Sequence, residues 1–212
     1  MHERLRRAAR SAKGFLPEDD GLALYAAGVE AGSLGPLLEV GGYCGRSAIY
    51  LGAAAARAGT VLFSIDHHRG SEEHQPGQQY YDARLVDNSG LVDTLPAFRS
   101  TVAAAGLEPY VIAVVGRSET VGRHWTTPLG LVFIDGGHSR DAAWNDFRIW
   151  PRLLIAGGLL AIHDVFPDPA SGGRPPFEIY SAARARGEYQ EVAEVGSLRI
   201  LRRVREPEQG SD

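Results

Sequence analysis

A glycine-rich stretch and a carboxylate that follows it have the residue types and spacing that nucleoside recognition requires. Pro36–Ser47, with the sequence PLLEVGGYCGRS, is an apolar run followed by three glycines, and helical spacing of apolar residues begins at its end. Glycines in such a strand–turn–helix unit let the backbone approach a ligand, and the helix start adds free N–H groups. The next apolar run, Val61–Ile65, leads into Asp66, about twenty residues after the turn, where a carboxylate would hold a ribose diol. The pattern predicts a nucleoside-binding unit.

Two residues in this stretch indicate which nucleoside would bind. A dinucleotide fingerprint has a glycine at the position of Tyr43, because the pyrophosphate must approach the backbone there. Glu39, at the end of the strand, places a negative charge beside the turn, which is unfavourable for a pyrophosphate and favourable for a sulfonium or ammonium cation. We therefore predict a cationic nucleoside, of which S-adenosylmethionine is the common example, in preference to NAD.

Four segments resemble, in the same order, the motifs of small class I S-adenosylmethionine O-methyltransferases of the metal-dependent catechol type. They are LEVGGYCGRS from Leu38, VVGRSE from Val114, FIDGGH from Phe133 and GGLLAIHD from Gly157. The resemblance covers roughly residues 36–165 and implies S-adenosylmethionine as the cofactor. The cofactor contacts that we predict on this basis are Glu39, Gly41, Tyr43, Gly45, Ser47, Asp66, His67, Gly116, Ser118 and Asp135. For Ser118 the alternative is an N-cap of the helix that follows.

The resemblance also implies a metal site. In the fold of this family the strands that lead into Asp135 and His163 are neighbours, so their ends lie about 4.8 Å apart. Carboxylates that are so close repel each other unless they share a proton or a metal ion. We expect Asp135, Asp164 and His163 to bind Mg²⁺ or, because His163 replaces the aspartate of the family, Mn²⁺. Asp164 alone also fits a loop cap.

His138 stands where the family has its catalytic lysine, three residues after Asp135 and beyond two glycines. An imidazole with an ordinary pKa near 6.5 is neutral at pH 7 and can accept a proton. An alcohol is a weak nucleophile until its proton is removed, so we predict His138 as the general base. The alternative is a histidine that forms only a local hydrogen bond at a helix start.

The acceptor is indicated by the polar loop His67–Gly77 and by the aromatic residues Tyr80, Tyr81, Trp125 and Trp144. The loop suits an acceptor wall or lid, with a metal site or a solvated loop as alternatives. A sugar or oligosaccharide fits these groups, and the loop together with the Ala-, Arg- and Gly-rich composition is similar to mycobacterial sugar O-methyltransferases of methylmannose polysaccharide synthesis. A phenol or catechol remains the alternative small-molecule acceptor.

The elements that must position these groups form a single α/β domain. We predict an N-terminal helical cap over residues 1–35, a Rossmann-like core over residues 36–205 and a polar tail over residues 206–212. The sheet is expected to have seven mostly parallel strands, with helices on both faces and a terminal antiparallel hairpin of Tyr189–Val195 and Leu198–Val204. Helical spacing predicts a helix from Leu91 to Ala105, and Asp146 is expected to be a surface or capping residue.

The composition of the chain limits which other functional classes and locations are possible. The chain has 44% hydrophobic and 23% charged residues, and its net charge of −4 is against general nucleic-acid binding. The single cysteine, Cys44, fits a reducing cytoplasm. Since no apolar run approaches about 20 residues and no signal peptide is recognised, we expect no membrane attachment. We expect a homodimer, the commonest oligomer. From other functional classes, an NAD-dependent oxidoreductase and a non-catalytic nucleoside-binding module stay open.

Overall fold

The computed structural model describes residues 1–137 and 139–204, which form one seven-stranded sheet with helices on both faces. The strands are β1 (Leu37–Val40), β2 (Leu62–Asp66), β3 (Val111–Val115), β4 (Leu129–Ile134), β5 (Leu154–Ile162), β6 (Tyr189–Val195) and β7 (Leu198–Arg203). Their order across the sheet is β3-β2-β1-β4-β5-β7-β6. The first five strands in this order are parallel, and β7 pairs antiparallel with both β5 and β6. The predicted fold class and terminal hairpin are confirmed.

The helices alternate with the strands and cover the two faces of the sheet. They are α1 (Glu3–Ser11), α2 (Glu18–Ala31), α3 (Arg46–Ala58), α4 (Leu95–Ala105), α5 (Ser118–Gly122), α6 (Arg140–Ile149) and α7 (Arg174–Ala185). Side chains of α1 to α4 pack on one face of the sheet, and side chains of α6 and α7 pack on the other. No helix in the described part of the chain is long and apolar enough to cross a membrane.

The central strand β1 is buried on both faces, which is why its sequence reads as a short continuous apolar run. Leu37 belongs to the core beneath α1 to α4, whereas Leu38 and Val40 belong to the core beneath α6 and α7. β1 pairs in parallel with β2 on one side and with β4 on the other. The carboxyl ends of these three strands therefore meet at one edge of the sheet.

The two N-terminal helices lie within the helical layer on one face. Leu24 of α2 is fully buried in the same core as Ile49 and Leu51 of α3. The first turn of α2 approaches the carboxyl end of β5, where Asp20 Oδ2 lies 3.3 Å from His163 Nε2. This placement becomes important for the buried carboxylate of Asp20.

The predicted start of α4 was wrong. The helix begins at Leu95, and Leu91 is exposed, while Val92 pairs with Val86 in a short antiparallel bridge. Leu91 matched the helical spacing of the residues after it by coincidence, and the chain before Leu95 is not helical. The predicted residue His138 and the predicted tail from 206 to 212 lie outside the described residues.

Candidate active site

The glycine turn after β1 lies so close to the neighbouring strands that no side chain fits at Gly41 or Gly42. Gly41 has a φ of 98°, and a Cβ atom added to it would lie 2.1 Å from the backbone oxygen of Asp135. A Cβ atom on Gly42 would lie 2.4 Å from Ser64 Oγ. The turn then continues through Gly45, whose left-handed backbone precedes the first residue of α3. The predicted glycines thus bring the backbone against the ends of β2 and β4.

Asp66, at the end of β2, connects this turn with the next loop. Its Oδ2 accepts a hydrogen bond from the Tyr43 backbone N–H at 2.8 Å, and its Oδ1 accepts one from the His68 N–H at 2.7 Å. Tyr43 and His68 both have left-handed backbones, with φ values of 43° and 56°. A carboxylate has about four lone-pair sites, so these two bonds leave Asp66 further acceptor capacity. The carboxylate is held in position by both loops.

Glu39 is completely buried in β1, beneath the turn. Its Oε1 accepts a hydrogen bond from Ser64 Oγ at 2.6 Å, while Oε2 makes no hydrogen bond of normal geometry within the described chain. Burial raises the pKa of the Glu39 carboxyl to about 7, against the opposing effect of the Ser64 and Ser47 hydroxyls. An under-satisfied buried carboxylate beside a ligand turn is suited to a bound positive charge.

Asp135, His163 and Asp164 meet at the ends of β4 and β5, as the sequence predicted. The His163 Nδ1 atom lies 3.0 Å from Asp135 Oδ1 and 3.4 Å from Asp164 Oδ1. One ligand atom from each residue lies within 4.8 Å of the others. Asp164 has a φ of 55°, the left-handed region, which a residue other than glycine adopts at a cost and which often marks functional sites.

The charge state of His163 follows from these neighbours. Burial lowers the pKa of His163, but the carboxylates of Asp135, Asp164 and Asp20 outweigh burial and raise the pKa to about 12. In the metal-free protein the ring therefore carries the positive charge that these carboxylates require. Two carboxylates and one imidazole nitrogen also form a chemically suitable ligand set for a divalent transition-metal ion, which would replace the Nδ1 proton.

A cavity of about 180 Å³ joins the glycine turn to this acidic cluster. Gly41, Tyr43 and Ser47 of the turn line this cavity together with Asp135 and Asp164 of the cluster. The predicted turn and the predicted metal ligands are therefore parts of one site.

Aromatic side chains form the outer wall of the cavity. The Tyr43 ring stacks on Phe15 with centroids 5.7 Å apart and lies 4.7 Å from the His74 ring. The Tyr80 ring lies 4.8 Å from Phe15. The loop histidine His74 and Tyr80 thus border the cavity, as an acceptor-wall loop would. Phe15 was missed because it stands alone in the linker between α1 and α2, and the sequence there has no period or motif.

Ser118 lies in a polar group outside the lining of this cavity. Its hydroxyl donates to Asp146 and accepts a hydrogen bond from Trp150 Nε1 at 2.7 Å. The alternative interpretation of Ser118 as an N-cap is wrong, because α5 begins at Ser118 and Arg117 precedes it as the cap. The expectation of a surface Asp146 is also wrong, since Asp146 is buried and burial raises its pKa to about 6.

Five further predicted contacts also lie outside the cavity lining: Glu39, Gly45, Asp66, His67 and Gly116. His67 is exposed and its Nδ1 accepts from the Arg69 N–H at 3.0 Å. The Gly116 N–H donates to the Asp66 carbonyl at 3.0 Å and extends the pairing of β2 with β3. Both residues lie at the same edge of the sheet as Asp66, and no contact with a ligand is assigned to them by the geometry.

Two other predicted features, the rings of Trp125 and Trp144 and the loop His67–Gly77, were considered as acceptor or metal sites. Trp125 packs edge-on against Phe63 and Trp150, and Trp144 Nε1 donates to Glu178 at 3.1 Å, so neither ring lines the cavity. Within residues 1–137 and 139–204, the one group of three side chains that can share an ion is that of Asp135, His163 and Asp164. The alternative of a metal site in the loop His67–Gly77 therefore receives no support from the described side chains.

Comparison with known proteins agrees with this arrangement. A family model described as "Methyltransferase domain" matches residues 38–165, more than half of the chain. The O-methyltransferase NovP shares the fold with a TM-score of 0.68 and 16% identity over 96% of this chain and 89% of that chain. TomG from Streptomyces achromogenes is an O-methyltransferase of tomaymycin synthesis that was solved with SAM. It shares the fold with a TM-score of 0.63 and 18% identity over 96% of this chain and 91% of that chain.

An O-methyltransferase from Bacillus cereus, solved with SAH, is similar with a TM-score of 0.63 and 16% identity over 97% of this chain and 92% of that chain. At these identities the structural similarity establishes the fold. The family match covers the turn, Asp66 and the metal-ligand candidates together, and it removes the oxidoreductase and the non-catalytic module as alternatives. The chain belongs to the methyltransferase-domain family and is a methyltransferase.

Proposed function

We propose that the protein is a metal-dependent O-methyltransferase that transfers the methyl group of S-adenosylmethionine to a hydroxyl of a small polar acceptor. The observation that carries the proposal is the single cavity between the glycine turn and the cluster of Asp135, His163 and Asp164. A methyl donor held by the turn and a hydroxyl held by the cluster would face each other across it. The O-methyltransferases of similar fold that were solved with SAM or SAH support this chemistry.

The residues of the turn would bind the donor. Asp66, fixed by two backbone N–H groups, would accept hydrogen bonds from the ribose hydroxyls. Glu39 would supply negative charge under the amino-acid end and the sulfonium, whose positive charge favours ionisation of this buried carboxyl. Gly41, Gly42 and Ser47 line the cavity, so the turn would lie directly beside the donor.

Asp135, Asp164 and His163 would hold a divalent cation, which in such a site lowers the pKa of an acceptor hydroxyl and orients it. The two carboxylates and the imidazole nitrogen converge from adjacent strand ends, so no large rearrangement is required to bring the three ligands together. His138 is proposed as the base that takes the hydroxyl proton, because it follows Asp135 by three residues. The methyl group then passes in line from sulfur to oxygen, with positioning supplying much of the rate.

For the acceptor we propose a sugar or oligosaccharide, such as a mannoside, with a phenol or catechol as the alternative. The ring faces of Phe15, Tyr43 and Tyr80 can pack on the apolar face of a sugar or on a flat aromatic ring. Lys13 and Glu73 line the same cavity and add polar groups that suit a polyol. The resemblance to mycobacterial sugar O-methyltransferases supports the first choice.

A panel assay tests the proposal. The purified protein is incubated with S-adenosylmethionine, Mg²⁺ or Mn²⁺, and either mannosides or catechols, and products are identified by mass spectrometry. An acceptor that gains one methyl group on oxygen supports the proposal, and the panel member that is methylated decides between the two acceptor classes. Methylation on nitrogen or carbon, or a preference for NAD over S-adenosylhomocysteine in binding, would contradict it.

A further inference from the structure

Asp20, on the N-terminal helix α2, is a buried carboxylate that contacts His163 of the acidic cluster. It is only 1% exposed, and its Oδ2 lies 3.3 Å from His163 Nε2. Gly196, in the turn between β6 and β7, leaves the space that Asp20 needs, because a Cβ atom there would lie 2.3 Å from Asp20 Oδ1. Three separate parts of the chain are therefore packed around this one carboxylate.

The two nitrogens of the His163 ring face different sets of groups. Nδ1 faces the Asp135 and Asp164 carboxylates, which line the cavity. Nε2 faces Asp20 and the Ser197 hydroxyl, which lies 3.2 Å away. Nε2 shares a hydrogen bond with Ser197 Oγ, and Asp20 Oδ2, which makes no hydrogen bond within the described chain, faces the same nitrogen as its ion-pair partner. A proton kept on Nε2 by these two groups leaves Nδ1 as the nitrogen that can offer a lone pair to an ion in the cluster.

This is the arrangement in which a carboxylate orients a metal-ligating histidine: the carboxylate fixes the ring, selects the tautomer and raises the basicity of the ligating nitrogen. We propose that Asp20 is a positioning residue of the metal centre, which holds His163 as an Nδ1 ligand and thereby makes the site favour an imidazole-accepting transition-metal ion such as Mn²⁺ over Mg²⁺. The inference rests on the metal site of the proposed function and adds a residue, a ligating atom and a metal preference to it.

The contact between Asp20 and His163 gives helix α2 a role in positioning a metal ligand. α2 packs on α3 and brings Asp20 to the Nε2 side of the His163 ring, and Asp20 does not belong to the cavity lining. The ion would thus be held by side chains at the ends of β4 and β5, with the helical layer controlling the orientation of one of them. Hard-oxygen sites that bind Mg²⁺ do not need such a partner, because carboxylates have no tautomer to select.

Electron paramagnetic resonance with Mn²⁺ alone tests the inference on the full chain. Pulsed measurements on bound Mn²⁺ should detect a nitrogen coupling from a directly coordinated imidazole in the unmodified protein. His163→Asp should abolish this coupling and shift the competition between Mn²⁺ and Mg²⁺ toward Mg²⁺. These readouts do not depend on methyl transfer.

Asp20→Asn should weaken Mn²⁺ binding about 10–100-fold, the usual effect of losing such a partner, while the exposed neighbour Asp19→Asn should leave it unchanged. Thermal unfolding confirms that each variant is folded. Bound Mn²⁺ without nitrogen coupling in the unmodified protein would overturn this inference and leave a two-carboxylate metal site intact. Absence of any Mn²⁺ binding would overturn the metal part of the proposed function and, with it, the role of Asp20. Equal affinity in Asp20→Asn and Asp19→Asn would also overturn the inference.

Discussion

The Nδ1 atom of His163 and the Oδ1 atom of Asp135 lie 3.0 Å apart, although the two residues are 28 positions apart in the sequence. The contact follows from the register of the sheet, because Ile134 pairs with Ile162 and the next residue on each parallel strand is one of these two. The cluster is therefore formed by the fold itself and not by a flexible loop. Its geometry should persist in variants that keep this strand pairing.

Asp66→Asn should weaken binding of S-adenosylhomocysteine by about 1.5–3 kcal/mol, because a hydrogen bond to a charged group is replaced by one to a neutral amide. The asparagine keeps an acceptor for one of the two loop N–H groups that Asp66 holds. Calorimetry measures the affinity, with Asp19→Asn as the control. Unchanged affinity in a folded Asp66→Asn protein would place the ribose elsewhere.

Glu39 should make the stability of the ligand-free protein depend on pH. The pKa of its carboxyl is about 7 in the folded protein and near 4.5 when unfolded, so the folded state binds the proton more tightly. The corresponding stabilisation is complete below about pH 4.5 and is lost as the pH rises through 7, a change on the order of 3 kcal/mol. Urea unfolding at pH 5 and pH 8 measures it.

Glu39→Gln should make the fall in stability between pH 5 and pH 8 smaller, because the amide does not titrate while it can still accept the Ser64 hydrogen bond. The same variant should bind S-adenosylmethionine more weakly at pH 8, because the native carboxylate is ionised there and attracts the positive sulfonium group. An unfolding free energy with the same pH dependence in both proteins would show that Glu39 does not titrate in this range.

Gly41→Ala should abolish cofactor binding or folding, because the new methyl group would collide with the backbone oxygen of Asp135. Gly59→Ala is the matched control, since Gly59 has a φ of 73° and no atom near its missing Cβ. The control isolates the cost of a left-handed alanine, about 1–2 kcal/mol. Thermal unfolding and calorimetry measure both variants, and equal losses would mean that close approach of the turn to β4 is unimportant.

His138→Ala should lower kcat by about 10²–10⁴-fold while keeping cofactor and metal affinity, which is the usual effect of removing a positioned base. Activity of the unmodified protein should fall at acid pH, because a protonated imidazole cannot accept the hydroxyl proton. The exposed His124→Ala is the control and should retain its kcat. A nearly unchanged kcat for His138→Ala at neutral pH would assign deprotonation to the metal site alone.

The sequence was sufficient to predict the sheet and its ligand edge. Strands such as β1 and β4 are buried on both faces, so each appears as an unbroken apolar run whose end can be located. Glycines mark a turn that admits no side chain, and the acidic residues directly after two strands could be assigned to one edge. These features are local in the sequence, and they were confirmed.

The buried carboxylates could not be predicted in the same way. Asp20 is part of an acidic run that favours a helix start, which gives no sign of burial, and Asp146 stands on an amphipathic helix and was expected at the surface or as a cap. Their burial depends on partners far away in the sequence: His163 for Asp20, and Ser118 for Asp146. Such partners are fixed by packing, and local sequence patterns carry no information about them.

Anomalous diffraction from a crystal grown with S-adenosylhomocysteine and Mn²⁺ tests the metal-dependent mechanism most directly, because it needs no knowledge of the acceptor. Data collected at the manganese edge should give a peak bonded to Asp135 and Asp164 and to Nδ1 of His163, with the cofactor sulfur facing it across the cavity. A crystal with S-adenosylhomocysteine in the glycine turn and no manganese peak at these three side chains would contradict the proposed mechanism.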